Sequence, residues 1–165
     1  MSCERRRVLC RAPKNAGYAT IIAGAHTRCQ WVAGWEMSNT DPIELKAYVP
    51  AKDFELSKRF YQDLGFTLCW GTEGDLAHFH YGDHGGHGKV GFLLQRFYVK
   101  EFADNLMMHL LVKDVDAWWA RIQEKKITEK YGVRGEPPED RPWQMRDLVL
   151  FDPSGVLWRI AEDMP

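Results

Sequence analysis

Residues 44–50 alternate weakly, with Lys46 and Tyr48 on one side and Leu45, Ala47 and Val49 on the other. That two-residue period is what a half-buried strand shows. Pro50 ends the run or lies at an edge, because it has no N–H to give to a ladder. Asp53 then stands where a carboxylate can accept the free amides of a first helical turn. Phe54, Leu56, Phe60, Tyr61 and Leu64 follow at helical spacing, and Gly65 suits a left-handed helix end. Residues 66–70, 76–81 and 90–97 read as strands, the last two separated by a glycine-rich turn.

The pattern then returns. A stretch beginning at Leu106 repeats the one beginning at Leu45, about 61 residues later: an alternating run, Lys-Asp, then a helix-like segment. Residues 107–112 read as a strand, Asp114 or Asp116 as the cap, and Val115, Trp118, Trp119 and Ile122 as a helical face. Residues 131–142 carry many breakers and read as a loop. Residues 146–151 and 156–161 read as strands joined by a turn at Asp152-Pro153-Ser154-Gly155. The expected fold is α+β, made of two βαβββ modules at residues 43–98 and 105–162, with function where the copies meet.

The 165 residues are 45% hydrophobic and 13% aromatic, enough for one packed domain. No apolar run approaches the roughly 18 residues of a membrane span. The net charge of −1 hides an asymmetry: residues 1–36 hold six basic and two acidic side chains, leaving 16 basic and 21 acidic in the remainder. An acidic body argues against nucleic acid as the partner. Cys3, Cys10 and Cys29 fall in the leading segment and only Cys69 in the body. No disulfide framework is legible, which points to a reducing compartment and hence the cytoplasm. The leader lacks a signal peptide's long apolar centre, and residues 1–42 are expected to be an extension outside the core, with an added edge element as the alternative that would house Trp31 and Trp35.

Ser57-Lys-Arg-Phe-Tyr-Gln-Asp-Leu-Gly-Phe66 and Phe151-Asp-Pro-Ser-Gly-Val-Leu-Trp158 resemble the vicinal oxygen chelate superfamily, which includes glyoxalase I, extradiol dioxygenases and bleomycin resistance proteins. The resemblance covers about residues 43–162. It implies that the modules curl into an open barrel or cleft, commonly completed across a homodimer. Metal-using members take a ligand from the first and last strand of each module, typically His, Gln or Glu. Counting along the motifs places those positions at Lys46, Gln95, Met107 and Arg159. Two cations, a thioether and a carboxamide suit a divalent metal poorly, so neither metal nor other cofactor is expected. The proline-containing first strand and Arg159 in the last resemble the bleomycin resistance branch, which implies sequestration of a drug in grooves between two subunits.

Alternation places Lys46, Tyr48, Gln95, Phe97, Met107, His109 and Arg159 on cavity faces, and these are the candidate ligand-binding residues. Their neighbours, Leu45 and Ala47 among them, are expected to pack under the helices. Bland readings compete: Lys46 or Arg159 could pair with Glu44, Glu162 or a loop acid, His109 could be a hydrogen-bonded interior histidine, and Tyr48 could fill the core. Trp70, Phe79, Phe97 and Trp143 could stack a flat ligand. His78, His80, His84 and His87 cluster on a hairpin, where a solvated turn competes with metal binding. Cys69 has no expected histidine or basic neighbour, so no nucleophile site is read there. The leading expectation is a metal-free protein that sequesters an aromatic or heterocyclic compound such as an antibiotic. The acidic body favours a cationic ligand and the basic inner positions an anionic or carbonyl-bearing one. The alternatives are an isomerase or lyase with His109 as base and Arg159 steadying an enolate, or a metal-dependent dioxygenase.

Overall fold

The computed structural model describes residues 44–71, 73–82 and 90–165. The expected extension, His84 and His87 lie outside the described residues. The first module runs β1 (Tyr48–Pro50), α1 (Phe54–Leu64), β2 (Thr67–Trp70), β3 (Leu76–Tyr81) and β4 (Val90–Gln95). After α2 (Lys100–Asn105), the second runs β5 (Met107–Leu111), α3 (Val115–Glu124), α4 (Ile127–Tyr131), β6 (Gly135–Arg141), β7 (Met145–Phe151) and β8 (Leu157–Asp163). Each module forms a four-stranded sheet, ordered β1-β4-β3-β2 and β5-β8-β7-β6. In both, the first strand runs parallel to the last, and the other neighbours are antiparallel. This is the expected α+β fold of two βαβββ modules, with sheets that do not close into a barrel.

The caps explain where the helices begin. The Asp53 carboxylate accepts the Leu56 amide at 2.9 Å, and Gly65 closes α1 with φ of 112°. Asp114, rather than Asp116, caps α3 by accepting the Ala117 amide at 2.8 Å. The apolar stripe of α1 (Phe54, Phe60, Tyr61, Leu64) packs on Val49, Phe79, Phe92 and Leu94, all buried. Phe79 is therefore core, stacked on Phe92 at 5.5 Å, and cannot offer its ring to a ligand.

Trp158 on β8 joins the two cores: its ring lies 5.7 Å from Tyr61, 5.7 Å from Phe66 and 5.4 Å from Phe92. A buried polar network follows the same seam. Asp152 accepts from the Tyr61 hydroxyl at 2.7 Å and from the Ser154 and Val156 amides at 2.8 Å each, while the Trp158 indole donates to the Tyr61 oxygen at 3.2 Å. A second clasp joins α1 to α4, where Asp63 accepts from both Lys130 and Tyr131 at 2.5 Å.

Three expectations need correction. Residues 44–47 are not part of the first strand: the ladder starts where the Ala47 carbonyl accepts the Leu93 amide, and Leu45 is 95% exposed instead of packed under a helix. Residues 135–141, read as loop, form β6. Pro137 and Pro138 are accommodated because β6 is an edge strand whose register shifts between Glu136 and Glu139, the setting in which proline is tolerated. The short helices α2 and α4 had no counterpart in the sequence reading.

Candidate functional site

Sheet alternation decides which side chains line the site. On β1 and β4, Val49, Phe92 and Leu94 point into the core, which turns Tyr48, Leu93 and Gln95 to the opposite face. After β4 the chain enters α2, whose residues fold over that face. The result is a cavity of about 180 Å³, lined by Tyr48, Pro50, Gln95 and Phe97 from the first module and by Val99, Phe102 and Leu106 from the connection. Tyr48, Phe97 and Phe102 are each more than half exposed, an unusual position for large apolar groups unless something packs on them. Gln95 contributes the one carboxamide and Tyr48 the one hydroxyl.

The remaining candidates lie on the second sheet. Met107, His109 and Leu111 project from the exposed face of β5, and His109 sits beside Arg159 in the parallel β5–β8 register. Arg159 is ion-paired, with Asp147 of β7 instead of Glu44, Glu162 or a loop acid. Its Nε donates to Asp147 at 2.9 Å and its Nη2 donates to the same oxygen, while Arg141 Nε donates to the other Asp147 oxygen at 2.7 Å. The Asp147 side chain is only 3% exposed, against 24% for Arg159, so one buried carboxylate is shared by two guanidinium groups. The hydrogen bond that Arg141 donates to Asp147 raises the pKa of Arg141 further above its ordinary value. The Trp143 ring covers the Arg159 guanidinium at 5.2 Å. Lys46 pairs with Glu44.

The structure thus divides the seven candidates. Tyr48, Gln95 and Phe97 share one cavity, Met107, His109 and Arg159 share a face of the second sheet, and Lys46 sits ahead of β1 in an ion pair. Pro50, Val99, Phe102 and Leu106 were missed as cavity residues. The available signal was the i, i+4, i+7 spacing of Val99, Ala103 and Leu106, which is helical.

At the four positions that the resemblance assigns to metal ligands, the donor set suits a divalent cation poorly. Lys46 and Arg159 are cations already engaged by carboxylates, Met107 offers a thioether, and Gln95 alone offers an oxygen. Among the described residues no three His, Cys, Asp or Glu side chains converge as a metal site. One contact was not foreseen: Cys69 Sγ lies 2.6 Å from His80 Nδ1. The expectation that Cys69 has no histidine neighbour is therefore wrong. Cys69 lies at the β2–β3 register shift between Leu68 and Trp70, two residues from Thr67, which pairs with His80. His78 and His80 share a face with ring centroids 6.5 Å apart.

A protein solved with copper(II)-bleomycin, the bleomycin-binding protein of bleomycin-producing Streptomyces verticillus, aligns with 20% identity and a TM-score of 0.58, over 76% of this chain and 98% of that one. TnmS3, an antibiotic binding protein from Streptomyces sp. CB03234, aligns with 25% identity and a TM-score of 0.53, over 74% and 99%. Lactoylglutathione lyase from Agrobacterium tumefaciens aligns with 18% identity and a TM-score of 0.51, over 74% and 95%. At such identities the likeness to the first and third shows the fold alone. A comparison with curated proteins finds no match. The sequence profile of the Glyoxalase/Bleomycin resistance protein/Dioxygenase superfamily matches residues 41–160, and together with the paired βαβββ modules this establishes that the chain belongs to that superfamily.

Proposed function

We propose that the protein is a metal-free small-molecule binder that sequesters an aromatic or heterocyclic compound such as an antibiotic, without transforming it. The observation that carries this is the cavity beside Gln95, whose carboxamide faces exposed aromatic walls, together with Lys46 and Arg159, which stand at two of the positions the resemblance assigns to metal ligands and are engaged by Glu44 and Asp147. Solved relatives that bind bleomycin or another antibiotic support the reading. The isomerase reading is weaker, because the donor edge that Arg159 would turn to an enolate is directed at Asp147.

A thermal-shift screen of aromatic antibiotics and small acids tests the proposal. A compound present at a hundredfold excess over its Kd adds about 2.7 kcal/mol to stability, which moves the melting temperature by several degrees in a domain of this size. Binding should saturate, and mass spectrometry should recover the compound unchanged after prolonged incubation. Turnover of the bound compound would contradict sequestration.

The binding unit in this proposal is a homodimer, supported by the half-exposed apolar groups Tyr48, Met107, Leu111 and Trp143. Light scattering across a dilution series should report about twice 19.1 kDa. A monomer at high concentration would remove the intersubunit groove from the account. Residues 1–42 are taken to lie outside the binding unit. The absence of a helix long and apolar enough to cross a membrane among the described residues and the cysteine distribution are consistent with action in the cytoplasm.

A further inference from the structure

We infer that the cavity beside Gln95 selects uncharged, flat heteroaromatic compounds that carry a hydrogen-bond donor and acceptor side by side on one edge, as a lactam or ring carboxamide does. This deepens the small-molecule reading and rests on it.

Size is the first constraint. A volume of about 180 Å³ accommodates a fused bicyclic ring and excludes the whole of a large antibiotic, so the cavity is a subsite for one planar fragment. The walls are the second. Tyr48, Phe97 and Phe102 offer aromatic surface, and Pro50, Val99 and Leu106 offer aliphatic surface. Such walls favour a flat ring that can stack or meet ring edges.

Charge is the third constraint. No lining residue is an acid, lysine, arginine or histidine, and the cations adjoining Gln95, Phe97 and Val99 along the chain are already engaged. Arg96 donates to Asp75 at 2.9 Å and lies over the Phe54 ring at 4.8 Å, and Lys100 pairs with Asp104. A carboxylate or ammonium entering this space would lose water without gaining a counter-charge, which is costly.

The last constraint is the edge. The Gln95 backbone carbonyl is used by the Ala51 amide at 2.9 Å, but the side-chain carboxamide makes no hydrogen bond to any described residue. It carries donors and an acceptor on one planar group. A ligand edge of the complementary kind satisfies both at once, and a site built this way discriminates against analogues that leave its polar groups unpaired. The position at which a metal-using relative would hold its cation thus becomes, in this chain, the position that sets specificity.

The test is calorimetric titration of the full chain with four probes: quinoxaline carboxamide, quinoxaline carboxylate, aminomethylquinoxaline and unsubstituted quinoxaline. The carboxamide should bind tightest, by about tenfold over either charged probe and by roughly threefold to tenfold over the bare ring, the range of one or two neutral hydrogen bonds. Gln95→Leu should abolish the advantage of the carboxamide over the bare ring while leaving the bare ring within about twofold of wild type. Gln95→Glu keeps the shape and an acceptor but adds a charge, and should shift preference to the ammonium probe. The inference is overturned if a charged probe binds wild type as tightly as the carboxamide, or if Gln95→Leu leaves the carboxamide advantage intact. In those cases binding itself survives and so does the small-molecule reading. If no quinoxaline binds but an antibiotic stabilises the protein in the thermal-shift screen, the inference fails alone. If neither binds, both fail.

Discussion

Replacing Asp152 with alanine is expected to lower the unfolding free energy by about 3–5 kcal/mol, a large share of the roughly 5–15 kcal/mol that holds a domain folded. The carboxylate is buried and accepts from the Tyr61 hydroxyl and from the Ser154 and Val156 amides. Truncation leaves these three donors facing a cavity without an acceptor. It also loosens Tyr61, which accepts the Trp158 indole and so ties the two modules together. Urea unfolding should show the loss as a lower midpoint with little change in slope.

The same residue gives a pH signature. Burial pushes the Asp152 carboxyl up from 3.8 to about 6, against the pull of its hydrogen bonds from Tyr61 and the turn amides. Between these values the unfolded chain releases a proton that the folded protein retains. The contribution of Asp152 is therefore fully favourable below 3.8 and is lost as pH rises through about 6, by about 3 kcal/mol in all. Asp63 and Asp116 work the other way: hydrogen bonds from Lys130 and from Arg146 respectively lower their carboxyl pKa values, so their contributions are lost as pH falls. The difference between wild type and Asp152→Asn isolates the one group. Wild type should lose stability relative to Asp152→Asn across that window, and a difference that stays flat or rises would contradict the assignment.

The second large effect is expected at Asp147. Asp147→Ala should cost about 2–4 kcal/mol, somewhat less than a fully buried pair because both arginines keep partial access to water. Arg159→Ala should cost less than Asp147→Ala, since Arg141 still holds the carboxylate. A double-mutant cycle on Asp147 and Arg159 should return a coupling of about 1–3 kcal/mol. A coupling indistinguishable from zero would show that the guanidinium is held by Trp143 stacking instead of by the carboxylate.

That pair also shows where sequence reading stops. Arg159 was placed correctly on its strand by alternation, but its partner lies diagonally across an antiparallel pair, since Val149 faces Arg159 and Asp147 faces Ala161. Such diagonal neighbours are within reach of a long side chain, yet neither strand's own sequence records the register. Cys69 and His80 met for the same reason, with a register shift added. The helices were legible because their signals are local: Asp53 and Gly65 frame α1, and Asp114 opens α3. Strand β6 was hidden because Pro137 and Pro138 read as breakers, and only its edge position makes them harmless. The cavity was half legible. Strand alternation exposes Tyr48 and Gln95, and Phe97 follows just beyond β4, but Phe102 and Leu106 reach the site through α2, whose six residues carry too short a pattern to outweigh the flanking polar positions.

In the function we propose, this member of the superfamily binds its compound without a metal. Elemental analysis of the untagged full chain, purified without chelators, tests it most directly. With Lys46 and Arg159 engaged by Glu44 and Asp147 at two of the four positions the resemblance assigns to metal ligands, only traces of zinc, iron, manganese and copper are expected, well below one equivalent per chain. One tightly held equivalent of any of them, surviving dialysis, would contradict it.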